Sequence, residues 1–310
     1  MATKNINPLL CDPETGVCEI PETSYRPSAE TTVVAQQKPV QIIYFTDPIC
    51  SSCWGIEPQL RKLKQEYGDY FNLEYRMGGL LPSWDVYNSG AIAKPSDVAH
   101  HWDEVSAYYE MPIDGNLWLE DPLHSSYPPS IAFIAAKMQD VIKADKFLRR
   151  IKEMVFLEKK NITKWEHLSE AAKLEGLDVD LFEKDYKGDA NELFSADLNY
   201  AQSQGVRSFP TLFFFNRSGD MHMIKGVRPF DKFENILLDL CPDARKNIYS
   251  NSLEDFCSNY HTFTTKEFAV ITDRSIQKAE KILQEGINKG VVEKITVRNG
   301  DFWKSKLFLS

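Results

Sequence analysis

The chain has 310 residues, room for one large domain or two ordinary ones. Its apolar share of 43% and charged share of 26% are those of a globular protein, and no run approaches the roughly 18 to 20 apolar residues that span a bilayer. The net charge of −9 is unevenly spread: residues 1–241 carry 25 Lys+Arg against 36 Asp+Glu, a charge of −11, and residues 242–310 carry 11 against 9, a charge of +2. An acidic body of this kind repels phosphate backbones and argues against nucleic acid as its partner.

The N-terminus, Met1-Ala-Thr-Lys-Asn-Ile-Asn-Pro-Leu-Leu, has no apolar core of signal-peptide length, so a cytoplasmic protein is expected. Residues 1–38 carry Pro8, Pro13, Pro21 and Pro27 among scattered Ser, Thr and Glu and read as an extended arm. Structure begins with the buried-strand pattern of residues 40–45, Val-Gln-Ile-Ile-Tyr-Phe, which stops at Asp47-Pro48. Residues 50–67 follow as a helix closed by Gly68, and 71–77 alternate as a second strand ended by Gly78-Gly79. Residues 82–205 hold little strand character; 131–138, 141–159, 165–174 and 191–204 have helical spacing, with Thr163 and Glu166 placed as a capping box. Strands return at 211–215 and 221–225, and a helix at 229–240 ends before Pro242.

The last 70 residues pattern separately. Helices are expected at 252–261, 264–271 (capped by Thr264 with Glu267) and 274–289, followed by strands at 291–298 and 302–309 around an Asn299-Gly300 turn. Three helices and a hairpin are the order of a winged helix. Arg274, Lys278, Lys281 and Lys289 on the third helix are interrupted by Glu280 and Glu285, so a solvated, charge-balanced face is favoured over a DNA-binding stripe. The expected domains are therefore an arm at 1–38, a body at 39–241 and a small α+β domain at 242–310.

Six cysteines in a chain this long are too sparse for a stapled secreted scaffold. Closely spaced pairs point to metal or redox chemistry. Cys50 and Cys53 stand two residues apart at the opening of a helix, where free N–H groups and the helix dipole favour an anion. That placement suits Cys50 as a thiolate nucleophile and Cys53, one turn further in, as the thiol that resolves a mixed disulfide. The bland reading of a lone C-x-x-C is half a zinc site or two core cysteines, but a zinc site needs about four ligands, and the other pair, Cys11 and Cys18, is more loosely spaced than zinc ligands usually are.

The surrounding sequence favours redox chemistry. Phe45-Thr-Asp-Pro-Ile-Cys-Ser-Ser-Cys-Trp-Gly-Ile-Glu-Pro resembles the active-site segment of the DsbA-like branch of the thioredoxin superfamily, with Asp-Pro ahead of the cysteines and Trp54 behind. Pro58 matches the helix-kinking proline of thioredoxins. Gly205-Val-Arg-Ser-Phe-Pro-Thr-Leu-Phe resembles the family's cis-proline loop. The resemblance covers about residues 38–241. It implies an α/β thioredoxin fold with a large helical insertion, in which Cys50 attacks, Cys53 resolves, Pro210 is cis, and Phe209 offers its N–H and C=O to an extended substrate. It further implies a protein disulfide oxidoreductase acting on oxidised or thiol-bearing proteins, with no bound cofactor and no metal. Ser51-Ser52 departs from the Gly-Pro of thioredoxin and the Pro-His of DsbA. Without a histidine to stabilise the thiolate, a reduction potential of about −200 to −270 mV is expected, not the ~−120 mV of DsbA.

Two other readings stand beside the enzyme. Some cytosolic relatives on this scaffold resemble adaptors that present a regulator to an ATP-dependent protease, their cysteines sensing stress. A kappa-class glutathione-dependent isomerase typically has serine at the nucleophile position, so the intact Cys50/Cys53 pair argues against it. Cys11-Asp-Pro-Glu-Thr-Gly-Val-Cys18 has turn chemistry that would bring its sulfurs together as a second redox pair relaying electrons to or from Cys50. Asp47 reads as a turn or cap residue and Glu74 as a solvent-facing strand position. Trp102, Tyr108, Tyr109 and Trp118, after His100-His101, read as core of the helical block, and Cys241 and Cys257 as buried, inert thiols.

Overall fold

The computed structural model describes residues 18–19, 38–86 and 92–308. Its first strand, β1 (Cys18–Glu19), pairs with β4 (Ser208–Phe209) in a small antiparallel ladder. The main sheet has four strands, β2 (Val40–Thr46), β3 (Phe71–Met77), β5 (Thr211–Asn216) and β6 (Met221–Lys225), in the order β3-β2-β5-β6. β3 runs parallel to β2, β5 antiparallel to β2, and β6 antiparallel to β5. In β2 the side chains of Val40, Ile42 and Tyr44 are fully buried and so is Phe45, as a central strand requires. β6 lies at the edge and exposes Met221 and Met223.

A parallel neighbour needs a crossover, and here it carries the cysteines. The expected single helix is two: α1 (Ser51–Gly55) and α2 (Glu57–Tyr67), meeting at Ile56. Pro58 has no N–H to give the turn before it, and Ile56 N–H reaches back to Ser52 O and Trp54 O at the break.

Between β3 and β4 lies the helical block, α3 (Pro95–Tyr109), α4 (Leu117–Glu120), α5 (Tyr127–Gln139), α6 (Val141–Leu157), α7 (Trp165–Leu174), α8 (Val179–Lys187) and α9 (Ala190–Ser203), with α10 (Phe230–Leu240) after β6. α3 and α8 were not expected as helices. α3 buries Val98, Trp102, Val105 and Tyr109, while α8 buries only Phe182 among its charges. The capping box expected at Thr163 does not form, because Asn161 Oδ1 takes both the Thr163 N–H and its hydroxyl.

The C-terminal elements are α11 (Leu253–Asn259), β7 (Thr262–Thr264), α12 (Thr265–Ile271), α13 (Ile276–Asn288), β8 (Val292–Val297) and β9 (Gly300–Ser305). β7, absent from the sequence reading, makes the sheet three-stranded, in the order β7-β9-β8. The Thr264–Glu267 capping box is present. The hairpin closes on the pair Val297↔Gly300, so Arg298 and Asn299 are the turn, one residue earlier than expected, with Asn299 at φ 60°. β9 also ends sooner than expected, at Ser305, whose hydroxyl accepts the N–H groups of Leu307 and Phe308.

Two apolar clusters result, a large one spanning the main sheet and helical block and a small one around Phe256, Phe263, Phe268 and Leu283. Neighbouring residues of β9 face opposite ways, Phe302 into the large cluster and Trp303 into the small one. Charge joins the two bodies. Glu267, fully buried on α12, receives Arg149 of α6 in a bidentate pair at 2.7 and 3.1 Å, and Arg61 of α2 stands 3.3 Å away. Removing one partner of such a buried pair strands the other, at a cost of ~3 to 5 kcal/mol. Glu267→Ala should lower the urea midpoint of unfolding by a corresponding amount, and an unchanged midpoint would show that the pair holds nothing together.

Candidate active site

Cys50 is the N-cap of α1 and is fully buried, as are Cys53 and Trp54. The Cys53 N–H donates to Cys50 Sγ at 3.3 Å. Ser51 and Ser52 are also buried; Ser52 Oγ lies 3.0 Å from Tyr109 Oη, and the Tyr109 ring covers Gly55, where a Cβ would meet it at 2.6 Å. Both cysteines are thus shielded from the solvent that a helix N-terminus normally meets.

This enclosure reverses the expected electrostatics. Burial pushes the Cys50 thiol well above its ordinary value, reinforced by the neighbouring Cys53 and by Asp47. Cys53 is also buried, but its net shift is downward, because the hydrogen bond with Cys50, the Lys152 ammonium and the hydroxyls of Thr46 and Tyr44 favour its anion. Those two hydroxyls are buried and have no conventional hydrogen-bond partner among the described residues. The exposed helix terminus expected around Cys50 is instead enclosed, with Cys50, Ser51, Ser52 and Cys53 all buried. α1 is only five residues long, and desolvation outweighs its dipole. The arrangement can pass between dithiol and disulfide, and it stabilises charge on the inner sulfur.

Lys152 was not anticipated as a site residue. Its fully buried ammonium donates to Glu57 Oε1 at 2.7 Å and to Cys53 O at 3.2 Å. Its sequence signal was a lysine one helical turn from both Leu148 and Phe156, on the buried stripe of α6. Trp54 donates its indole N–H to Pro112 O at 3.1 Å, stacks on Phe156, and carries the Arg149 guanidinium 4.4 Å from its ring centre.

Asp47 closes the β2–α1 turn. Its carboxylate accepts from Ile49 N–H at 3.0 Å, Leu80 N–H at 2.7 Å and the Ser126 hydroxyl at 2.7 Å, in line with its cap reading. The Phe209–Pro210 bond is cis. Phe209 is fully buried, its ring packed on Gly78, where a Cβ would stand 1.9 Å from it. The substrate edge anticipated for Phe209 is taken up by β1, in the register Cys18↔Phe209. Cys11 lies outside the described residues.

The remaining candidates are structural. Trp102, Trp118 and Tyr109 are buried and Tyr108 is exposed. Burial lowers His101 to about 4. Glu74 pairs with Arg76 at 2.6 Å, and Cys241 and Cys257 are buried. Among the described residues no group of three or more His, Cys, Asp or Glu side chains could hold a metal ion, and no helix is long and apolar enough to cross a membrane.

Fold and site together define a DsbA-like member of the thioredoxin class, with its two-cysteine motif intact. The family model described as thioredoxin matches residues 44–235. A curated relative named ClpXP adapter protein SpxH, from Halalkalibacterium halodurans, is 35% identical over 305 residues, 96% of this chain and 97% of its own. The protein of the same name from Bacillus subtilis is 33% identical over 274 residues, 87% and 90% of the two chains. Among solved structures, the cytosolic disulfide reductase DsbM from Pseudomonas aeruginosa superposes with a TM-score of 0.52 at 21% identity, over 65% of this chain and 100% of that one. The chain belongs to the thioredoxin family and, within it, to the family of the SpxH proteins.

Asp47 gives the site a pH dependence. Burial raises its carboxyl from 3.8 to about 6 in spite of three hydrogen bonds, so the folded chain holds this proton more tightly than the unfolded one. The resulting stability is fully present below pH ~4 and is lost as pH rises through ~6, a difference of ~3 kcal/mol. Asp47→Asn cannot ionise and lacks this slope. From about pH 4 to about pH 7.5, either side of the transition, its urea stability relative to the unaltered protein should improve by ~3 kcal/mol; parallel profiles would refute the assignment. Asp145, raised to about 6 in the same way, is present in both proteins and cancels.

Proposed function

We propose that the chain is a ClpXP adapter that presents a regulatory protein for degradation, with Cys50 and Cys53 as a redox sensor and not as the source of its activity. The observation that carries this reading is the end-to-end similarity to proteins of that name, over 96% of this chain and 97% of the relative. Two features of the site agree with it. The outer thiol is enclosed and held protonated, whereas a dedicated oxidant displays a thiolate. The sulfur favoured as an anion is the inner one, which serves to break a mixed disulfide and release whatever Cys50 has captured.

A second reading, protein disulfide oxidoreductase, is favoured by the intact Cys50-Ser-Ser-Cys53 segment on a DsbA-like fold. The resemblance to DsbM, at 21% identity, supports the fold alone. A cytoplasmic location accords with either reading.

Protein half-lives in cells separate the two. In cells lacking this chain, at least one ClpXP-degraded regulator should persist several-fold longer. Restoring the native chain or a Cys50→Ser/Cys53→Ser double variant should return its turnover equally, with only the native chain slowed by a thiol oxidant. Rescue confined to the native chain would move the oxidoreductase to first place. If no regulator is stabilised, the adapter reading fails.

A further inference from the structure

β4 is seated firmly from behind. The Phe209 ring fills the space that Gly78 leaves, Thr211 Oγ1 donates to Ser208 O at 2.7 Å, and Ser208 and Phe209 are both buried. Its ladder partner is β1, antiparallel, with Cys18 opposite Phe209 and Glu19 opposite Ser208. Among the described residues β1 joins no other strand, and 20 residues separate it from β2 in the chain. A two-residue ladder is weak in isolation. Covalent attachment through a chain of that length supplies an effective concentration of ~mM and keeps such a strand in place without making it permanent.

The sequence of the resident strand suits its place. Val17-Cys18-Glu19-Ile20 sets β-branched residues on either side of the paired dipeptide and contains no proline. Prolines stand at 13 and 21, outside the ladder.

We propose that residues 18–19 are a built-in competitor strand: they occupy the β4 edge beside Pro210 and close it until an extended peptide segment from another protein displaces them. Binding of such a segment and release of the arm are then one exchange, in which one antiparallel ladder replaces another on Ser208–Phe209. The inference does not depend on what the captured protein is used for. Its test involves neither proteolysis nor disulfide chemistry, so it can fail or succeed separately from the adapter reading.

The experiment uses the full chain in reducing buffer, with a fluorescent peptide of this chain's own residues 14–23 as probe. Cys18→Pro/Glu19→Pro removes both N–H donors of β1. The double variant should bind the probe at least about tenfold more tightly than the unaltered chain, which competes with its own strand. Hydrogen exchange should be slow at residues 208–209 in the unaltered chain, fast in the variant, and slow again when the probe is added. Equal binding by the two proteins, or exchange at 208–209 that ignores the substitutions, overturns the proposal. A measurement on the unaltered chain alone guards against a variant that folds poorly. Probe at about millimolar concentration should speed exchange at residues 18–19 while 208–209 stay protected, and no change there is equally fatal.

Discussion

The structure turns on the need to satisfy charges buried behind Trp54. Glu267 and Lys152 are fully buried and Arg149 nearly so. Each buried ion carries a desolvation penalty of several kcal/mol that only well-placed partners offset. Glu267 is met by two guanidiniums and by the Thr264 N–H at 2.7 Å. Arg149 also reaches Glu153 at 2.7 Å and lies over the Trp54 ring, and Lys152 is divided between Glu57 and the Cys53 carbonyl. Because the partners come from α2, α6 and α12, satisfying the charges fixes those three helices against one another. The segment bearing the cysteines is therefore held by the helical block on one side and by the C-terminal elements on the other.

That arrangement sets the chemistry of the two sulfurs. A thiol at a helix terminus is activated when it meets water and the open end of the helix. Cys50 is fully buried, Tyr109 of α3 lies against the adjacent Ser52 and Gly55, and the Lys152 ammonium favours the Cys53 anion. Asp47 adds a carboxylate near the outer sulfur and Lys152 an ammonium near the inner one, so the asymmetry is built from both sides.

What could be read from the residues depended on the range of the interactions. β2, β3, β5 and β6 declared themselves by local alternation or apolar runs, and Pro58 and the Thr264–Glu267 box are local signals with local consequences. α3 was obscured because its buried Trp102 and Tyr109 sit among histidines and acidic residues, and α8 because one buried residue, Phe182, leaves almost no periodicity. β7 and β1 are two or three residues long and exist only through distant partners, Phe302–Lys304 and Ser208–Phe209. The hairpin turn moved by one residue because Asn299 is spent elsewhere. Its amide donates to Asp103 at 2.7 Å and to Ile113 O at 3.0 Å, contacts that no local pattern announces. In the site, the cysteines and cis-proline segment were legible as motifs, whereas the electrostatics were not, since Lys152 and Glu57 are 95 residues apart.

The contact that positions Asn299 also bears on why the C-terminal elements accompany this thioredoxin fold. The hairpin tip rests on Met111–Ile113: Gly300 leaves room for Pro112, Arg298 pairs with Asp103 at 2.6 Å, and Thr264 Oγ1 donates to Met111 Sδ at 3.2 Å. Pro112 in turn accepts the Trp54 indole N–H, so the hairpin braces the residue directly after Cys53. Thr264 is also the cap whose N–H meets Glu267. The C-terminal elements thus reach the cysteine segment by two routes, one apolar through Pro112 and one ionic through Arg149.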